Sequence, residues 1–93
     1  MSFHRVERRK SPRYPYLHTV YFCEDARLSE ETFLGASVDI SDTGMSLYTS
    51  VPLAESQNVM IKNTLPVEYT RATVRWLRKY SADLYKVGLM FIV

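Results

Sequence analysis

The strongest constraint on this chain is a period of two. Apolar and polar residues alternate along most of its length, and the three-to-four spacing of an amphipathic helix is scarce. Residues 16–23 alternate, with Tyr16, His18, Val20 and Phe22 on one face and Leu17, Thr19, Tyr21 and Cys23 on the other. That run is rich in the aromatic and β-branched residues that suit a strand. Residues 33–40 predict a second strand, with Ala36, Val38 and Ile40 buried and Ser37 and Asp39 pointing away. After the turn cluster Ser41-Asp42-Thr43-Gly44, the alternation resumes from Met45 to Thr49, and Val59 and Ile61 mark a fourth strand. Residues 67–78 predict a long strand with Ala72, Val74 and Trp76 on its core face and Arg71, Thr73 and Arg75 on the other. Tyr85, Val87, Leu89 and Phe91 alternate to the end. Six short strands joined by turns, in a chain of 93 residues with no internal repeat, imply one small antiparallel barrel or sandwich.

Several function classes find no support. The apolar run from Val87 to Val93 is far shorter than the ~20 residues of a membrane helix. The start is polar and basic with no apolar stretch behind it, unlike a secretory leader. The single cysteine, Cys23, has no intramolecular partner and sits in a strand, so a buried structural thiol in a cytoplasmic protein is the natural reading. His4 and His18 lack metal-ligand spacing, and no glycine-rich phosphate loop is present. Asp42-Thr43-Gly44 is the tripeptide of dimeric aspartic proteases, which pair two such aspartates around a shared proton. Those enzymes want an apolar residue before the Asp and a small one after the Gly, whereas Ser41 and Met45 stand there. The expectation is a binding module rather than an enzyme, with no metal.

Charge is unevenly distributed. Residues 1–13 carry five basic side chains (Arg5, Arg8, Arg9, Lys10, Arg13) and one acid, a net of +4, while residues 14–93 carry seven basic and nine acidic ones, a net of −2. A basic arm on a near-neutral body suits an anionic partner, and it equally suits a solvated tail that maintains solubility.

The informative constellation is a pair of motifs. Arg9-Lys10-Ser11-Pro12-Arg13 reads RxxxR, and Asp39-Ile40-Ser41-Asp42-Thr43-Gly44 reads DxSxxG. The first is weak, since Arg5/Arg9 and Arg71/Arg75 match it too. The second arises by chance in about one chain of this length in fifty at average residue usage, so the pair in this order carries the weight. Asp39 and Ser41 are two apart at a strand edge, which turns their side chains the same way. An ionised aspartate accepts from amide-like donors such as the N1–H and N2–H₂ edge of guanine. Ser41 adds a short hydroxyl, and Gly44 permits a tight turn or close ligand approach. Arg9 and Arg13 present planar forks suited to phosphate oxygens or to the O6/N7 edge of guanine. These residues describe a site for a guanine-containing, multiply anionic ligand. They are also compatible with a capped turn and solvated arginines.

On these residues the chain resembles the PilZ domain, the bacterial receptor module for cyclic di-GMP. Glu7-Arg8-Arg9-Lys10-Ser11-Pro12-Arg13 resembles the arginine-rich opening of that family, Asp39, Ser41 and Gly44 its second motif, and Ala72–Trp76 and Val87–Phe91 its two closing strands. The resemblance implies a six-stranded antiparallel split β-barrel over residues 14–93, preceded by a basic arm, residues 1–13, that orders over the dinucleotide. It implies ligand contacts from Arg8, Arg9, Arg13, Asp39, Ser41 and Gly44. Many members continue into a C-terminal helix, and this chain stops at Val93, so little or no such helix is expected. In the family an arginine immediately ahead of RxxxR, here Arg8, accompanies an intercalated pair of ligands. The output of a single-domain receptor passes to a downstream protein partner whose identity the sequence does not carry. The rival expectation is a small basic barrel that binds RNA or single-stranded DNA through the arm and exposed tyrosines.

Overall fold

The computed structural model describes residues 12–24, 31–67 and 70–92. Arg8, Arg9 and His4 lie outside the described residues. Seven strands follow in order: β1 (Tyr14–Pro15), β2 (Thr19–Glu24), β3 (Phe33–Ile40), β4 (Gly44–Thr49), β5 (Asn58–Ile61), β6 (Arg71–Ser81) and β7 (Leu84–Phe91). Six of them close a barrel, all neighbours antiparallel, in the order β3-β2-β5-β6-β7-β4 and back to β3. The two-residue β1 adds to β3 through Tyr14–Ile40 and Pro15–Asp39 pairs. The described residues contain no helix. The predicted all-β, six-stranded antiparallel barrel is therefore the observed fold.

Closure removes every long free edge and leaves the inward side chains a common interior. Val20 and Phe22 from β2, Met45 and Leu47 from β4, Val59 and Ile61 from β5, Ala72 and Val74 from β6, and Val87, Leu89 and Phe91 from β7 fill it. Leu53 and Leu65, from the connections on either side of β5, are also buried in this core. Cys23 is buried and free, as a structural thiol would be.

The structure corrects the alternation in three places. The first predicted strand is interrupted. Residues 16–18 lie between β1 and β2 and follow β3 through Tyr16 N–H to Val38 C=O (3.0 Å) and Ser37 N–H to His18 C=O (2.9 Å). Ser37 is the reason: its hydroxyl accepts from His18 N–H (2.9 Å) and faces the carbonyls of Tyr16 and His18. In β3 the predicted faces are inverted at first, with Gly35 and Ser37 buried and Ala36 exposed. A bulge between Ser37 and Asp39 resets the phase so that Ile40 points inward as expected. In β6 a bulge between Val74 and Trp76 does the same. Val74 pairs with Leu89 and Trp76 with Gly88, which leaves Arg75 as the extra residue. Trp76, expected in the core, is thrown to the outer surface, 38% exposed.

Candidate functional site

Arg13, the last residue of the first motif, meets the second motif where β1 pairs with the end of β3. Arg13 leads into β1, whose pairing with the end of β3 brings Pro15 opposite Asp39. Arg13 Nη1 donates to Asp39 Oδ1 at 2.8 Å, an exposed-to-half-buried ion pair. The Ser46 hydroxyl, opposite Asp39 on β4, donates to the same oxygen at 3.0 Å. Both bonds fall on Oδ1, and Oδ2 takes no hydrogen bond from a described residue. The carboxylate is thus fixed by two partners on one side and retains acceptor capacity on the other.

Ser41 has a different position. It lies beyond the end of β3 and is buried. Its Oγ accepts from Thr43 N–H and Gly44 N–H, both at 3.2 Å, while its own N–H donates to Gly44 C=O at 2.8 Å. The hydroxyl holds the β3–β4 turn in shape, as serine does in such turns. Gly44 has no positive φ. It serves close approach: a Cβ there would fall 2.2 Å from the Leu89 carbonyl oxygen on β7.

Beside the ion pair opens a cavity of about 320 Å³. Arg13 and Gly44 line it together with Thr43, Arg75, Trp76 and the β7 segment Gly88–Met90. Trp76 is seated on Gly88, where a Cβ would meet the indole Nε1 and Cε2 at 2.2 Å. A strand glycine here lets the ring lie against the neighbouring backbone. Arg75, the bulged residue, donates from Nη1 to Met90 Sδ at 3.0 Å. The bulge therefore does what bulges do beside functional sites: it aims two consecutive side chains, a cation and an aromatic ring, at one surface.

Of the residues singled out by the motifs, Arg13 and Asp39 meet directly, and Gly44 and Arg13 share the cavity. Ser41 supports the turn from beneath. Arg75, Trp76, Gly88 and Met90 line the same cavity without belonging to either motif. Of these, Trp76 as a stacking ring and Arg75 as an added cation are compatible with the sequence, but the core and a solvated face are the commoner places for them. Gly88 was the available signal, a glycine inside an otherwise apolar strand, which marks a bulge or a close approach. Among the described residues no cluster of His, Cys, Asp or Glu is arranged to hold a metal, and no helix is long and apolar enough to cross a membrane.

Comparison with known proteins gives the family and the fold. The family model described as "PilZ domain" matches residues 7–93. Among solved structures, the K. pneumonia MrkH–c-di-GMP complex is similar in fold, with a TM-score of 0.55 and 19% sequence identity, over 91% of this chain and 44% of that one. The chain thus spans less than half the length of that protein. No curated protein sequence matches it.

Proposed function

The chain belongs to the PilZ domain family, and from that premise we propose that it is a receptor for cyclic di-GMP. The observation that carries the reading is the Arg13–Asp39 ion pair, which links the last residue of one family motif to the first of the other, with Arg13 also lining the cavity. Asp39 accepts from the guanine N1–H and N2–H₂ edge through its open Oδ2. Arg13, together with Arg9 and Arg8 of the arm, meets the phosphates and the guanine O6/N7 edge. Gly44 keeps the rim low, and Ser41 holds the turn that carries it. Trp76 offers an exposed ring for a base, and Arg75 adds a second fixed cation. The free protein neutralises Arg13 with Asp39, so the arm must supply most of the charge that the four phosphates of two ligands require. In this reading the arm, residues 1–13, closes over the ligand, and the signal passes to a protein partner in the cytoplasm. The family is one of binding modules, and no catalytic role is assigned to any residue.

Calorimetry with cyclic di-GMP, linear di-GMP and GTP tests this. Only the cyclic dinucleotide should bind, with a stoichiometry of two. Arg13→Ala or Arg9→Ala should weaken it at least about tenfold, since a charge-assisted hydrogen bond contributes roughly 1.5–3 kcal/mol. Arg8→Leu should reduce the stoichiometry to one. Unchanged affinity in both arginine variants would refute the site. Tighter binding of long oligonucleotides, with steep salt dependence, would favour the nucleic-acid reading instead.

A further inference from the structure

The outer surface of the barrel carries a row of cross-strand partners on four adjacent strands. Ala36 on β3 lies opposite Tyr48 on β4, Tyr48 opposite Lys86 on β7, and Lys86 opposite Arg78 on β6. The Lys86 ammonium lies 5.5 Å from the Tyr48 ring centroid, and the Arg78 guanidinium lies 5.5 Å from that of Trp76. Tyr80 packs edge-on against Tyr48 at 5.5 Å. Two residues before Ala36, Leu34 is 55% exposed beside its β2 partner Tyr21, 45% exposed.

This face combines apolar area with positive charge of one sign. No acidic residue occupies the row, and Asp39, in the outward row next to it, is already paired with Arg13. Neither Arg78 nor Lys86 makes an ion pair with a described residue. Each cation rests on a ring, which limits the rotamer freedom it would lose on meeting a partner. We propose that this outer face of β3, β4, β7 and β6 docks an acidic protein segment that also bears apolar side chains. Its carboxylates would meet Lys86 and Arg78, and its apolar residues would cover Leu34, Tyr21, Tyr48 and Tyr80. Charge complementarity sets the register and rejects basic segments. Single-stranded nucleic acid fits less well, because tracking a phosphate backbone takes a longer line of cations than two. The surface adjoins the cavity through Arg78 and Trp76 but does not depend on what the cavity binds.

Fluorescence anisotropy tests the assignment with a short labelled peptide alternating glutamate with leucine and phenylalanine. The lysine-for-glutamate peptide and labelled oligothymidylate serve as comparisons. The glutamate peptide should bind the full chain, and Arg78→Glu with Lys86→Glu should weaken it at least about tenfold while improving binding of the lysine peptide. Lys86→Glu alone, away from Trp76, and Leu34→Ser should each weaken it in proteins whose melting temperature is unchanged. Equal binding by wild type and the charge-reversed protein, or no binding at all, would overturn the proposal. So would oligothymidylate binding that is tighter than the peptide's and lost on charge reversal, or self-association of the protein lost on the same change.

Discussion

Trp76 and Gly88 behave as one unit. The indole occupies the space that any side chain at 88 would need, and it remains 38% exposed. Truncating it opens no core cavity, so Trp76→Ala should cost far less than the ~3–5 kcal/mol of a buried tryptophan. It should instead reduce ligand affinity by the worth of one base–aromatic stack, about 1–3 kcal/mol. Gly88→Ala should push the ring off its seat and weaken binding in the same direction with the indole still present. Thermal melts, calorimetry and tryptophan fluorescence on both variants separate these effects. A large fall in melting temperature with unchanged affinity in Trp76→Ala would return that residue to a structural role. Arg13 and Asp39 were legible from their motifs because a fixed chemical need selects both residue types. Trp76 was not, since a large aromatic in an alternating strand ordinarily packs inside.

At the scale of elements, alternation located all six barrel strands but assigned side chains to the wrong face wherever a strand gained one residue. A single extra residue inverts every face beyond it, and nothing in the local residue pattern of β3 or β6 marks the bulge. Those two bulges also border the candidate site: one follows buried Ser37 and precedes Asp39, the other turns Arg75 and Trp76 outward. The β4–β7 pair lacks such slack. Gly44 faces Met90 in register, and a methyl group at 44 would overlap the Leu89 carbonyl oxygen at 2.2 Å. Relief requires backbone movement in both strands, so Gly44→Ala should destabilise the domain by about 1–3 kcal/mol. In a domain of this size each kcal/mol lowers the melting temperature by roughly 4–8 °C. A variant that melts with the wild type would mean that the strands separate there without loss, and that the glycine serves only the ligand.

For the whole molecule the governing quantity is the division of charge, +4 over residues 1–13 against −2 over the remainder. The described structure compensates Arg13 through Asp39. The other four cations of the arm stand in a stretch of sequence with few apolar residues, and a segment of that composition offers little apolar surface to offset the entropy of ordering. Bound phosphates change that balance, because each arginine gains a charge-assisted partner and the repulsion among the cations is offset. Amide exchange in residues 1–13 should therefore slow when cyclic di-GMP is added, while exchange across Val74–Trp76, already inside the closed barrel ladder, changes little. High salt should diminish the effect, since it screens exposed charges beyond roughly 8–10 Å. The alternative is a clamp formed before the ligand arrives. It predicts equal protection of the arm with and without ligand, and that result would remove ligand-driven ordering from the mechanism while leaving the Arg13–Asp39 contact intact.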